Sequence, residues 1–416
     1  MTHAHTGHHR HGLDDPRHPN GLTASWRLIA ALLIPAAVIT MVALIWLWPG
    51  GASGASAEDQ PAAAQRVDGT VLAVNQTPCP APPAGQPDSP LLPTVCGTVA
   101  VGLDSGPDAG RQVTVDVPAG PGAPRVATAD KVVLFYQPEM PAERRYQITD
   151  HQRGRPLWLL TAVFALAVIA YGRWRGVRAL AGLAVTFAVL LLFIVPAILD
   201  GKSPLLVAIT GSAAIMFTVL YLTHGINLPT TVALVGTLIS LTLTGLLAAA
   251  TTAITKLSGI ADEESGLLSV AHANVNMQGL LLAGILIGAL GVLDDVTVTQ
   301  ATTVDELAYA NPGMGVGQLY RAATRVGRAH IASVTNTIVL AYAGASLPLL
   351  LLISASNHPI GEVLTNQLIA QEIVRSAVGT IGLIAAVPIT TALAALTAGH
   401  DRSLIQAPGP GGWAPS

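Results

Sequence analysis

Charge is scarce in this 416-residue chain: Asp, Glu, Lys and Arg make up 11% of it, against 51% hydrophobic residues and a mean hydropathy of +0.54. Soluble domains carry about a quarter charged residues, so a soluble multidomain protein is excluded and an integral membrane protein expected. Lysine is confined to Lys131, Lys202 and Lys256, and the net charge of −3 arises from opposing local patches. Neither balance calls for nucleic acid or an acidic partner. The shortage of Lys beside abundant Arg, Ala, Gly and Pro is the usage of a GC-rich bacterial genome. Cysteine is limited to Cys79 and Cys96, which flank the Pro-rich stretch PAPPAGQPDSPLLPTV. Their spacing is not CxxC. In an oxidising compartment a disulfide would close that loop, for about 3 kcal/mol by the chain-entropy estimate; two free thiols or a redox pair are the alternatives.

Long apolar runs are what the chain has instead. Residues 1–27 hold no such run and read as a disordered cytoplasmic tail. Its histidines (His3, His5, His8, His9, His11, His18) lack the fixed geometry of a selective metal site. Residues 28–48 form a first span, bounded by Trp46 and Trp48 at one interface, and fit an uncleaved helix better than a signal peptide. A Gly/Ala/Ser linker, 49–65, leads to a segment with strand signals, 66–155. Its candidate strands are Val67 to Val74, Val95 to Val101, Gln112 to Val117, Lys131 to Tyr136 and Arg145 to Ile148. In QVTVDV, Val113, Val115 and Val117 alternate with Thr114 and Asp116, the pattern of a sheet with one buried face. A small all-β domain, barrel- or sandwich-like, is expected.

Residues 156–397 read as seven more spans, followed by a disordered cytoplasmic tail, 398–416. The fold class is thus an α-helical polytopic membrane protein of about eight spans with a small extracytoplasmic β-domain. Arg173, Arg175 and Arg178, then Arg321, Arg325 and Arg328, then Arg402, fall on the side of the N-terminal Arg10, Arg17 and Arg27. Arginine-rich loops mark the cytoplasmic face, which puts both termini inside a bacterial cytoplasmic membrane and the cysteines outside it. Arg321, Arg325 and Arg328 then lie at anionic lipid headgroups. Gly201-Lys202-Ser203 resembles the end of a P-loop, but Pro196 stands where the upstream glycine is required, so no nucleotide site is expected. No cofactor is indicated either.

The functional candidates cluster in GILIGALGVLDDVTVTQATTVDE, Gly284 to Glu306. If one helix continues past the apolar core, Asp295, Thr299, Thr302 and Glu306 share a face, while Asp294, Thr297, Ala301 and Asp305 form the adjacent stripe. Such a ladder of carboxylates and hydroxyls, about 16 Å long, suits protons or hard cations. The competing reading has Asp294 or Asp295 capping a separate interfacial helix from Val296. Gly284, Gly288 and Gly291 offer a small-residue seam for a neighbouring helix. Asn336, on the next span with His330, Ser333 and Thr337, is a candidate ligand contact, and Glu372 with Arg375 a candidate gating pair.

GALGVLDDVTVTQATTVDEL, Asn311-Pro312, VTNTIVLAYAGASLPLLLL from Val334 and NQLIAQEIVRSAVGTIGLIAAVPIT from Asn366 together resemble the YibE/F-like family of bacterial membrane proteins. The resemblance runs from about Arg66 to Thr397. It implies the topology above and shared polar positions at Asp294 or Asp295, Glu306, Asn336, Glu372 and Arg375, rather than a chemistry. One departure stands out: the family tends to place an acid after the Gly-Arg of the Asn-bearing span, and here Gly327-Arg328 is followed by Ala329. A relay using that acid would be missing here, or would use His330.

Three functions are compatible with these features. An ATP-independent transporter or permease coupled through the carboxylate stripe leads. A non-transporting scaffold or assembly factor, its outer domain bound to an envelope protein or a second copy of the chain, is the alternative. An intramembrane aspartyl hydrolase needs two carboxylates from separate helices, and sequence neighbours such as Asp294 and Asp295 point roughly 100° apart.

Overall fold

The computed structural model describes residues 24–50, 65–77, 79, 96–119, 123–355 and 359–405. The histidine-rich tail, most of the 49–65 linker, most of the Pro-rich loop and the end of the C-terminal tail lie outside the described residues. The chain divides into two compact units, one of residues 51–177, the other of residues 1–50 with 178–416.

In the first unit five strands, β1 (Gln65–Thr77), β2 (Cys96–Leu103), β3 (Gln112–Asp116), β4 (Lys131–Tyr136) and β5 (Tyr146–His151), form one antiparallel sheet in the order β3-β2-β1-β4-β5. All five expected strands are present, within a few residues at each end. The alternation read from the sequence sets the core: Val67, Val71, Val99, Val101, Val115, Val132 and Leu134 are buried on one face. Register shifts at Val71/Ala73 and Val133/Leu134 curve the sheet, as bulges do. The edges β3 and β5 therefore approach without pairing. Between them lies a groove of about 620 Å³, with Asp116, Val117 and Pro118 on one side and Tyr146 to Thr149 on the other. Tyr146 packs on Tyr136 and donates its hydroxyl to Asp108 at 2.8 Å; burial, then that bond, pushes its phenol well above the usual range. Cys79 and Cys96 are joined by the expected disulfide, with S–S 2.05 Å. One helix, α2 (Gly154–Gly172), belongs to the same unit, which therefore extends beyond the expected boundary at 155.

The second unit is helical. Ahead of the sheet in sequence comes α1 (Ala24–Leu47). After α2 follow α3 (Trp174–Val189), a wide turn over Leu190–Ile194, and α4 (Val195–Leu199). Pro196 has no N–H to offer the helical ladder, and the Val195 N–H reaches back to the Leu190 carbonyl instead, which opens that turn. Next are α5 (Pro204–His224), α6 (Leu228–Thr255), the short α7 (Glu263–Ala271), α8 (Met277–Ala310), α9 (Val316–Ala345), α10 (Leu347–Ala355), α11 (Ile360–Thr365) and α12 (Gln367–Ile405). Capping fixes the starts: Asn227 accepts from Thr230 N, Asn276 from Gly279 N, and Asp262 forms a capping box with Ser265.

Seven of the described helical segments are long and apolar enough to cross a membrane: α1, α2, α3 with α4, α5, α6, α8 and α12. The expected eighth, Ile331 to Ile353, falls instead on two helices that meet at Ser346. The reason is composition, since α9 begins with Arg321, Arg325, Arg328 and His330 and continues through Ser333, Asn336 and Thr337, leaving a strongly amphipathic helix.

At the centre are α6, α8 and α12, with α5 against α8 and α9 against α12. Leu234, Leu241, Leu286, Leu293, Leu383 and Val387 are among the buried side chains of their shared core.

Candidate functional site

The acid pair sits inside a continuous helix. α8 runs 34 residues without interruption, about 51 Å, so neither Asp294 nor Asp295 caps a helix starting at Val296. That alternative is removed. Helical phase then separates the two stripes. Leu293, Val296, Thr297, Gln300, Val304 and Ala308 are buried, whereas Asp295, Thr302 and Glu306 are exposed and Thr299 half-buried. Asp294 lies at the margin of the inward face and is half-buried; its Oδ1 accepts from the Asp295 N–H at 2.8 Å.

Over the next two turns the inward face of α8 meets a layer of uncharged polar groups. Thr297 Oγ1 lies 2.6 Å from Thr237 Oγ1 on α6, and one of the two hydroxyls donates to the other while the second donates to a carbonyl of its own helix, that of Asp294 or of Ala233. Thr391 on α12 donates to Gln300 Oε1 at 2.9 Å. Thr237, Ser240, Thr244, Thr297, Gln300, Thr390 and Thr391 are all fully buried. Ser240 and Thr244 donate to carbonyls one turn back, those of Gly236 and Ser240. Gln300 Nε2 and Thr390 Oγ1 are buried without a hydrogen-bond partner.

Glycine permits this layer. A Cβ on Gly236 would stand 2.3 Å from Thr390 Oγ1, one on Gly382 2.0 Å from Thr244 Oγ1, and one on Gly327 of α9 2.7 Å from Gln300 Nε2. The expected seam behaves differently. Gly284 and Gly291 have open space where a Cβ would go, and Gly288 meets only the Tyr342 hydroxyl, at 3.2 Å. A seam read from spacing alone does not say which face of the helix its neighbours take, and here they take the face at Leu286, Leu293 and Gln300.

Those contacts fix heights along the bundle. Gln300 opposite Gly327, and Gly288 opposite Tyr342, make α8 and α9 antiparallel. Counting between them puts Asn336 at the height of Gly291 to Asp294, with Ser333 close to that of Asp294. Asn336 is exposed and bonds to neither acid among the described contacts. His330 is half-buried, one turn from Gly327, and its Nε2 is buried without a partner. Arg321, Arg325 and Arg328 are all exposed, and Arg321 Nε also donates to the Gly317 carbonyl at 3.2 Å.

At the other end of α12, Arg375 Nη1 bonds Glu372 Oε1 at 2.8 Å, so the expected pair forms. Tyr342 lies within reach of both charges. Asp262, the N-cap of α7, is held below the usual carboxylate range chiefly by hydrogen bonds from Ser265, with Arg375 adding to the effect. The bond of Arg375 to Glu372 is made within α12 itself. Arg375→Ala should lower the unfolding temperature of the purified protein, for a loss of about 1 kcal/mol at this partly exposed site, and Arg375→Lys should recover part of it.

Among the described residues no group of three His, Cys, Asp or Glu could hold a metal ion. The side chains that meet here present hydroxyl and amide groups and one carboxylate. Thr237, Gln300, Thr390, Thr391 and Tyr342 were not picked out by sequence reasoning. For Gln300, Thr390 and Thr391 the available signals were the T-x-x-Q spacing on α8 and the Thr-Thr pair two residues after Pro388, which lies inside α12.

A family model described as YibE/F-like protein covers residues 160–400, which include α8, α9 and nearly all of α12. No curated protein and no solved structure matches the chain.

Proposed function

The chain belongs to the YibE/F-like family, and from that premise we propose that it is an ATP-independent membrane transporter whose coupling residues lie on α8. The observation that carries this reading is Asp294, a half-buried carboxylate midway along an unbroken helix, beside a closed layer of buried hydroxyls and amides. Ionisable groups at such depth are costly and gather where a solute or proton passes. Asp295, Ser333 and Asn336, at similar height on α8 and α9, would line the approach, and the layer from Thr237 to Thr391 would form its closed end. Pro388 leaves one carbonyl of α12 without its helical donor in the same region, a feature of helices that host transport sites.

In this reading α9 and α10 together make the eighth crossing, both termini face the cytoplasm of a bacterial cell, and the β-unit lies outside the membrane. Arg321, Arg325 and Arg328 meet anionic headgroups. Glu372 and Arg375 gate the far end.

The test is flux in proteoliposomes, followed with a pH-sensitive dye and with cation-selective probes under an imposed gradient. The double variant Asp294→Asn with Asp295→Asn should reduce coupled flux at least tenfold. Flux equal to that of the unaltered protein in every channel measured would remove the coupling role.

A second reading, a non-transporting scaffold or assembly factor, is favoured by one observation, the groove between the free edges of the β-sheet.

A further inference from the structure

Near the Glu372–Arg375 end of α12, Thr252 Oγ1, Gln371 Nε2 and Arg375 Nε are buried without a hydrogen-bond partner. They meet at one height. Gly236 faces Thr390 and Thr244 faces Gly382, so α6 and α12 run antiparallel, each step along one matched by a step back along the other. The same count sets Thr252 opposite Val374, between Gln371 and Arg375. Ala248 and Leu257 share one buried cluster with Val374 and Val378, which confirms that these stretches pack together.

Each of the three groups departs from what its neighbours do. Thr244 and Thr255, on the same helix as Thr252, donate to carbonyls one turn back, and Thr252 does not. Arg375 gives Nη1 to Glu372 and keeps its Nε–H edge, and the edges of a guanidinium grip carboxylates and phosphates through two parallel bonds. Gln371, only 6% exposed, brings a further N–H one turn before it on the same helical face. Buried donors call for an acceptor, supplied by a water or by a ligand. The face has room for more than a water: a Cβ on Gly379, one turn beyond Arg375, would meet nothing within 4 Å.

Two N–H donors and a hydroxyl select an oxygen with free lone pairs, and the guanidinium among them selects one that carries negative charge. Glu372, and Asp262 at the start of α7 within electrostatic reach, offset the charge of Arg375. An anion is then held weakly, which suits a solute that must also leave.

We propose that Thr252, Gln371 and Arg375 form a subsite for the carboxylate or phosphate group of a small soluble anion. It names a substrate class for the transport reading and rests on that reading for its purpose. Binding is measured without flux, so anions that bind to a protein with no flux would remove transport alone, and flux without anion binding would remove the subsite alone.

The full-length protein in detergent would be titrated at constant ionic strength with sodium succinate, with inorganic phosphate and, as a lipid source of the same group, with phosphatidylglycerol. The readout is the unfolding temperature. Succinate or phosphate should raise it saturably. Gln371→Leu removes one donor at similar volume and should raise the apparent Kd at least tenfold, while unfolding without anion at or above the parental temperature, since no bond is lost. Arg375→Lys keeps the charge but not the two-bond edge, and should also weaken binding at least tenfold. The proposal is overturned if neither soluble anion gives a saturable rise, or if phosphatidylglycerol alone does. It is equally overturned if Gln371→Leu responds as the parent does, because a general salt effect acts on both alike. A lower unfolding temperature for anion-free Gln371→Leu overturns it too, since the amide would then serve a structural water.

Discussion

Gly382→Leu should prevent the helical unit from assembling. The first added carbon would stand 2.0 Å from Thr244 Oγ1 and 3.1 Å from Thr244 Cβ, inside contact distance for any pair of heavy atoms. Thr244 has no room to retreat, since it is fully buried and donates to the Ser240 carbonyl at 2.7 Å. Relief would require α6 and α12 to separate, and those helices carry much of the shared core. Overpacking of this kind costs about 1–3 kcal/mol when neighbours can adjust, and more when the obstacle is close to the backbone, as it is here. The variant should migrate as an aggregate on size exclusion in detergent, or unfold well below the parent. Two comparisons assign the cause. Gly284→Ala, where a Cβ meets open space, should behave as the parent does. Gly382→Ala should be harmful alone and substantially rescued by Thr244→Ala, the coupling expected of residues in direct contact. Equal stability of Gly382→Leu and the parent would mean that α6 and α12 do not meet at this glycine.

Removal of the Cys79–Cys96 disulfide is expected to be the most damaging change to the β-unit. The bond closes a sequence separation of 17 residues, for which loop-closure entropy in the unfolded chain gives about 3 kcal/mol. A five-strand sheet with a ten-residue core has a small reserve of stability, so a loss of that size is a large fraction of the whole. Cys79→Ser with Cys96→Ser should render this unit sensitive to a protease added to intact nanodiscs, while the helical unit keeps its unfolding temperature. Reducing agent on the parent should reproduce the effect. Proteolysis at parental rates in both experiments would show that the sheet holds without its covalent link.

The β-unit was the more legible part of the chain. Alternation in QVTVDV and KVVLFY is a direct imprint of one buried face, and it located β3 and β4 to within a residue. The disulfide followed from there being only two cysteines, both in that segment. In the helical unit, hydropathy located the spans but not their neighbours. Threonine recurs throughout, so nothing in composition distinguishes Thr237 or Thr391, which join helices, from Thr242, which bonds only its own backbone. The same limit applies to glycine. Gly284 and Gly291 have the spacing of a packing seam and have open space where a Cβ would go, while Gly236, Gly327 and Gly382 have no such spacing and are closely approached. Which face of a helix is inward depends on tertiary contacts between elements far apart in sequence. The outward direction of Asp295 and Glu306 and the inward lean of Asp294 could therefore not be read from offsets alone.

The length of α8 carries a mechanical implication. An α-helix of 34 residues with no proline keeps its hydrogen-bond ladder whole, and to the extent that its glycines do not bend it, it moves as a rod. Whatever tips it at the Tyr342 and Arg375 end must displace Glu306 at the opposite end in the same stroke. Leverage of that kind would let an event at one end of the helix be felt at the other without any side chain in between changing its partner.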